Sequence, residues 1–330
     1  MSTFLQTKKY NEVDNDYFWI KNLDFKTIRI LYNLMISNIS NFEYSYDKVN
    51  WYSASSNAIN LNIEPGNKMW FRAKNLISTG SSFLSIQSTG YYELGGSIPA
   101  LIDYENKETV TTIPDNYFVS FLSNDMDIQY LGKKMSSYCL KADRLDFGNI
   151  TTVGTRGMYD MFKYSSITKS PDLSRITTIG NYGMYRLFLQ CNNLKEVTDF
   201  TSLTNAGDNA MFNMFYYDAG IKTSPDLSSL TTAGNYCLNS MFYNSSVETG
   251  ADLSSLTTAG NYCCSYMYSG CSKLKQVTYP NITYSQYVTQ SWLSGAGTGI
   301  SGTKTAYVPA GQTIPESNDG IPSGWTRVEY

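Results

Sequence analysis

One stretch sets the terms for the whole chain. Asp226 to Tyr236 reads DLSSLTTAGNY, and the same eleven residues return letter for letter as Asp252 to Tyr262. Looser copies run back along the sequence: DFTSLTNAGDN from Asp199 to Asn209, DLSRITTIGNY from Asp172 to Tyr182, and DFGNITTVGTR from Asp146 to Arg156. The five leading residues, Asp146, Asp172, Asp199, Asp226 and Asp252, are spaced by 26, 27, 27 and 26. A fixed period of this size marks units that cannot bury an apolar face alone and do so by stacking on one another. It predicts a solenoid and is not a catalytic motif.

Aligning the units on Met161, Leu187, Met214, Met241 and Met267 resolves them into columns. The residue after each is Phe162, Phe188, Phe215, Phe242 or Tyr268, and three residues before come Met158, Met184, Met211, Leu238 and Cys264. Apolar positions at i, i+3 and i+4 form one stripe of a helix, so each unit is expected to carry a helix of roughly nine residues. Four residues back the side chain is always small: Gly157, Gly183, Ala210, Cys237, Cys263. Six back stand Thr155, Asn181, Asp208, Asn235 and Asn261, which on this reading are N-caps. Seven back are Gly154, Gly180, Gly207, Gly234 and Gly260, expected where the chain turns sharply, often at positive φ. Strand-like pieces such as ITTI and LTTA precede the glycines, and apolar anchors (Ile167, Leu194, Ile221, Val247, Leu274) follow the helix. The expected fold is an α/β repeat solenoid with a short strand and a short helix per unit. Such a helix is marginal alone, and each buried Met or Phe contributes roughly 1.5–3 kcal/mol only once a neighbouring unit covers it.

Ahead of the array the pattern differs. Residues 1–16 are a polar arm. Residues 17–115 form a β-rich module and connection: IRILYNLM, FEYSYDKVNWYS, INLNI and KMWFRAK are rich in β-branched and aromatic residues, several alternate apolar with polar, and turn signals such as Glu64-Pro65-Gly66-Asn67 separate them. A small antiparallel sandwich or sheet is expected there. The array occupies 116–278, its first unit long and degraded with Phe121-Leu122 in place of Met-Phe, and 279–330 reads as a C-terminal cap.

The strand, Gly corner and NYxxxxMFxxC segment, plainest at Asn235-Tyr236…Met241-Phe242 and at Asn261-Tyr262…Met267-Tyr268…Cys271…Leu274, resemble the BspA-type leucine-rich-repeat proteins of gut bacteria and their phages. So does the closing Gly320-Ile321-Pro322-Ser323-Gly324-Trp325. Members of that family also carry a β-module with YSxDxxxW and GxKxxF segments, here Tyr44 to Trp51 and Gly66 to Phe71. The resemblance implies a leucine-rich-repeat-like solenoid behind a sandwich-like domain, and adhesion or binding as its general use. This chain departs from it in using DLSSLTT where many relatives have a Pro-containing strand entry.

Composition narrows the chemistry. With 28 Tyr, no His and a formal charge of -3, the chain holds neither the commonest general base nor a broad attraction for phosphate backbones. Nucleic acid and membrane insertion are therefore not expected as targets. Nor is there a phosphate-cradling Gly loop or a G-x-S-x-G elbow. Six Cys are present, but Cys237 and Cys263 fall in the small-residue column, and Cys191 and Cys271 share a column with Ser165, Asp218 and Ser245, so buried filler is favoured over disulfide or zinc. The Asp column is expected to cap turns rather than hold a cation. No catalytic residue, metal or cofactor is expected.

The tyrosines carry the functional expectation. On the helical reading, Tyr159, Tyr182, Tyr185, Phe212, Tyr216, Tyr236, Tyr243 and Tyr262 point away from the apolar stripe. They form either an outward binding band, as on rigid aromatic recognition surfaces, or ring-on-ring packing between units. The first 16 residues show no apolar secretory core, and with an adhesion-type solenoid this points to a non-enzymatic attachment protein on the exterior of a phage particle, a tail or head fibre. The β-module would meet other virion proteins, with self-association open, and the array would meet a glycan or protein of the host surface. A bacterial cell-surface adhesin is the alternative, and an intracellular scaffold or a carbohydrate-active enzyme comes after it.

Overall fold

The computed structural model of the chain describes residues 14–34, 38–56, 58–75, 84–88, 90–123, 129–130, 133–134 and 139–330. Most of the polar arm lies outside them. The first part is β-structure, in strands β1 (Phe18–Asn22), β2 (Ile28–Leu34), β3 (Phe42–Ser45), β4 (Tyr52–Ser53), β5 (Ala58–Ile63), β6 (Lys68–Ala73), β7 (Leu84–Ser88) and β8 (Tyr92–Ser97). Alternation along β6 buries Met69, Phe71 and Ala73 and leaves Lys68, Trp70 and Arg72 on the outer face. β8, β1, β6, β3 and β4 pair antiparallel in that order, and β5, β2 and β7 make a second antiparallel sheet. On the outer face, Arg72 lies between the rings of Trp51 (4.0 Å) and Tyr104 (4.2 Å) while bonding Glu43 at 2.6 Å. Cation–π contacts and the ion pair together fix the guanidinium on this face.

A short helix (Pro99–Asp103), β9 (Thr112–Ile113) and the two-residue strands β10 (Gln129–Tyr130) and β11 (Lys133–Lys134) follow, and then β12 (Cys139–Asp146) joins module to array. β12 pairs parallel with β8 and ends on Asp146, the first residue of the Asp column. The buried side chains run on without a break, Phe18 of the module lying 5.8 Å from Phe121 of the first coil.

Each repeat contributes one short strand: β13 (Thr152–Val153), β14 (Thr178–Ile179), β15 (Asn205–Ala206), β16 (Thr232–Ala233) and β17 (Thr258–Ala259). They stack in parallel register behind β9, Ile113, Val153, Ile179, Ala206, Ala233 and Ala259 in line. The ladder is that of a leucine-rich-repeat-like solenoid. The Gly column sits at its end, but for a different reason than a left-handed turn, since none of the five has positive φ. A Cβ on Gly180 would lie 3.0 Å from Gly154 C, one on Gly234 2.6 Å from Asp208 N, and one on Gly260 2.6 Å from Gly234 C. Glycine lets one coil lie against the main chain of the one before.

The nine-residue helices are not there. In their place each coil carries a ribbon of successive turns, with φ near +55° at every fourth residue: Arg156, Asp160 and Tyr164; Tyr182, Arg186 and Gln190; Asn209, Asn213 and Tyr217; Tyr236, Ser240 and Asn244. One positive φ per four residues is incompatible with a right-handed helix. Peptide units along the ribbon then alternate in what they bond. Met161 N–H donates to Met158 O within the coil, at 3.2 Å, whereas Phe162 N–H donates to Leu187 O of the next coil, at 3.0 Å. Five such rows run along the solenoid. One of them passes Phe162, Phe188, Phe215, Phe242 and Tyr268 N–H to Leu187, Met214, Met241, Met267 and Trp292 O in turn. Every peptide in a row points its N–H towards the C-terminal end.

The apolar side chains of the ribbon recur inward in pairs every four residues. Gly157 and Met158, then Met161 and Phe162, then Ser165 face the core, and the same offsets are buried in the other coils. That period of four also places side chains at i, i+3 and i+4 together, which is the pattern read as a helix. Inside, Phe162, Phe188, Phe215, Phe242 and Tyr268 stack ring on ring with centroids 5.4, 5.6, 5.3 and 5.4 Å apart. Trp292 closes the stack 6.1 Å from Tyr268. At the other end Leu122 N–H donates to Met161 O, so Leu122 takes the place of Phe162 in the first coil.

The far side of the solenoid carries a sparser ladder, with single bridges Lys169 to Glu196, Thr223 to Thr249 and Thr249 to Gln276. It continues as β18 (Gln276–Thr278), β19 (Lys304–Val308) and β20 (Trp325–Glu329), all parallel. Residues 287–294 receive the last N–H groups of the ribbon, from Tyr262, Cys264, Tyr266, Tyr268 and Gly270, and so cap it.

Candidate functional site

The column expected to supply N-caps does other work. Asn181 Oδ1 accepts the main-chain N–H of Asp208 at 2.9 Å, Asp208 Oδ1 that of Asn235 at 2.7 Å, and Asn235 Oδ1 that of Asn261 at 2.9 Å. Asp115 Oδ1 does the same for Thr155 N–H at 2.6 Å. These side chains bridge coils rather than cap helices. Each satisfies a corner N–H that the two-residue strand leaves over.

The Asp column lies at a second corner. Asp146, Asp172, Asp226 and Asp252 each accept, through Oδ1, the N–H two residues on, from Gly148, Ser174, Ser228 and Ser254 at 2.7–2.9 Å. Asp199 Oδ1 accepts Asp226 N–H at 2.9 Å instead. The N–H of Ser174 holds the Asp172 carboxyl below its usual range. A cavity of about 350 Å³ opens here, where module meets array, lined by Glu108, Asp146, Asn149, Asp172 and Arg175. Within it Arg175 reaches Gly148 O and Asn149 Oδ1 at 3.4 and 3.3 Å. Among the described residues no group of three or more Cys, Asp or Glu is placed to hold a metal ion.

Cys191, Cys237, Cys263, Cys264 and Cys271 are buried and unbridged. Cys191 and Cys271 donate their S–H to Phe162 O and Phe242 O at 3.0 and 2.8 Å. Burial pushes their thiols up to about 12 and about 11, which keeps them protonated and unreactive.

All eight aromatic residues of the expected band lie on the outer side of the ribbon, none of them buried. The structure brings them together in three groups. Tyr159, Tyr185 and Phe212 stack nearly parallel at 4.7 and 5.0 Å, with Tyr182 tilted against Tyr185 at 5.7 Å. Tyr216 stacks on Tyr243 at 5.0 Å and Tyr236 on Tyr262 at 5.1 Å. The rings thus pack on one another from coil to coil while lying on the outer side of the ribbon. Stacking takes up both faces of Tyr185 and one face of each ring in the Tyr216–Tyr243 and Tyr236–Tyr262 pairs. Burial raises the Tyr185 and Tyr216 phenols above their ordinary value.

The first stack is charged at one end. Arg186 clasps Asp160 through Nε at 2.8 Å and Nη2 at 2.7 Å, donates to Tyr159 Oη at 3.1 Å, and lies over the Tyr185 ring at 4.8 Å. The Arg156 guanidinium covers the outer face of Tyr159 at 4.7 Å. Fixed in this way, the outer surface needs little ordering on contact.

Sequence reasoning missed Tyr217, Tyr266 and Tyr287, which are 45%, 38% and 56% exposed. Tyr217 packs on Tyr216 and Tyr243 at 4.7 and 5.8 Å, and Tyr287 on Tyr262 at 6.3 Å. On a helix of 3.6 residues per turn the Tyr217 and Tyr266 positions fall at the side of the stripe. On a ribbon of period four they face out. The recurring Asn at these left-handed positions (Asn209, Asn213, Asn244) was the available signal.

The chain matches no protein-family model, and no curated protein matches it. Among solved structures it is similar to a leucine-rich repeat protein from Bacteroides ovatus ATCC 8483, with 13% identity, a TM-score of 0.22, and coverage of 72% of this chain and 83% of that one.

Proposed function

We propose that this chain is a non-enzymatic attachment protein that holds a bacterial surface through the outer face of its turn ribbon, carried on the exterior of a phage particle. One observation supports the contact most directly. Tyr182, Tyr217, Tyr236, Tyr266 and Tyr287 are all more than a third exposed on that one face, and all but Tyr266 pack against a neighbouring tyrosine ring. A surface of phenol hydroxyls and partly exposed rings suits hydroxyl-rich partners such as surface glycans, which hydrogen bonds and ring contacts can recognise. On this reading the N-terminal β-module is the anchor to the particle, because the array is built on it through β12 and the shared core.

Labelled protein applied to bacterial cells, with capsule or wall glycan as competitor, tests the attachment. Capsid, portal or tail genes beside the coding sequence would support the particle, and their absence together with cell binding would favour a bacterial adhesin.

A further inference from the structure

The sparse ladder on the far side of the solenoid ends in β20, and nothing among the described residues pairs with its outer edge. Its residues Thr326, Arg327, Val328 and Glu329 are all exposed. We infer that β20 is an interface between two copies of this chain, pairing antiparallel with itself about Val328.

Backbone direction decides which residues present the edge. Tyr330 N–H donates to Val308 O at 3.0 Å, and Ala310 N–H donates to Tyr330 O at 3.2 Å. In a parallel pair both groups of one residue face the same neighbour and alternate residues face opposite ways. Thr326, Val328 and Tyr330 therefore bond β19, and Trp325, Arg327 and Glu329 turn N–H and C=O outward. Antiparallel pairing bonds outward residues directly opposite one another, so the register can centre on any residue from Trp325 to Glu329, and those about Trp325 and Thr326 set no acidic residue opposite Arg327. One centred on Arg327 sets guanidinium against guanidinium, and one centred on Glu329 sets carboxylate against carboxylate. The register about Val328 sets Arg327 opposite Glu329 twice, with Val328 facing Val328 on the axis. Opposite charges across a strand pair stabilise it and like charges oppose it. The only complementary register is thus also one in which all four outward groups of Arg327 and Glu329 find partners. Arg327 is already held in place, its Nη1 donating to Ile314 O at 2.6 Å.

A charged edge is also a device for keeping strands apart, and the two roles separate by experiment. Sedimentation equilibrium of the full chain over a concentration series is expected to show a mass rising from one chain towards two. Arg327→Glu and Glu329→Arg, each alone, put like charges opposite and are expected to stay monomeric at concentrations where the unmodified chain is paired. Mixed together, these two variants are complementary and are expected to form a mixed dimer. The double variant restores self-pairing. A monomer at every concentration overturns the inference, as does association that survives in both single variants or fails to return in the mixture. The double variant keeps the test decisive if a single variant folds poorly.

Discussion

Asp208 Oδ1 accepts the main-chain N–H of Asn235, one coil further on, at 2.7 Å. Asp208→Ala leaves that N–H to solvent and is expected to cost roughly 0.5–1.5 kcal/mol. Asp208→Asn keeps an acceptor and stays close to the unmodified chain, as Asn181 and Asn235 do in neighbouring coils. Urea midpoints of the two variants check this, with amide exchange at Asn235 rising only in the alanine variant.

Gly260 and Gly302 provide a matched pair. A Cβ on Gly260 would fall 2.6 Å from Gly234 C and 2.8 Å from Asn235 Cα, main-chain atoms with no room to retreat, whereas one on Gly302 meets nothing within 4 Å. Gly260→Ala is expected to cost about 1–3 kcal/mol, and Gly302→Ala less than about 0.5 kcal/mol. Equal thermal midpoints would show that coil spacing adjusts freely.

Phe215 lies between Phe188 and Phe242 at 5.6 and 5.3 Å and is fully buried. Phe215→Ala is expected to cost about 3–5 kcal/mol. Phe215→Tyr has a natural counterpart at Tyr268, whose hydroxyl accepts Ala251 N–H at 2.8 Å. Chemical denaturation, read by tyrosine fluorescence, compares the two.

Asp218 gives the array a pH dependence. Its Oδ1 accepts the N–H of Gly220 and Ile221 at 2.8 and 3.4 Å, while the buried Oδ2 has no partner among the described residues. Burial outweighs those bonds and pushes the carboxyl up to about 7. An unfolded Asp ionises near 3.9. As pH rises from about 4 to 7 the unfolded chain therefore releases a proton that the folded one keeps, and folding loses up to about 4 kcal/mol before levelling off. Asp218→Asn is expected to be more stable than the unmodified chain at pH 8 and to lose that advantage at pH 4, measured as the difference in urea midpoint.

The outer tyrosines are separable from the fold. Replacing Tyr182, Tyr217 and Tyr236 together by Ser removes exposed rings and leaves the inner stack intact. Binding to bacterial cells is expected to fall at least tenfold with the melting temperature changed by only a few degrees. Unchanged cell binding would sink the outer-face proposal. Replacing Tyr216, Tyr236 and Tyr243 by Ala tests the stacked subset in the same assay.

The 26- and 27-residue spacing, the core columns and the β-module strands were all legible because each is a statement about which side chain is buried, and burial leaves a periodic trace. KMWFRA alternates and forms β6, and Met161-Phe162 and its equivalents face the core. The helix was misread because Met158, Met161 and Phe162 satisfy a period of 3.6 and a period of four equally well over so short a span. Tyr at the left-handed positions of Tyr182, Tyr236 and Tyr262 concealed the difference, since an aromatic residue rarely adopts that conformation. The role of β12 was hidden too, as nothing in residues 139–146 marks them as a parallel edge for β8.

Because each peptide row hands the same donor from coil to coil, a coil offers its successor what its predecessor offered it. A whole unit can then be duplicated or excised between Asp172 and Asp252 with both new junctions already compatible. Reach becomes adjustable without redesign, and related chains that differ in span by multiples of one coil are the natural outcome.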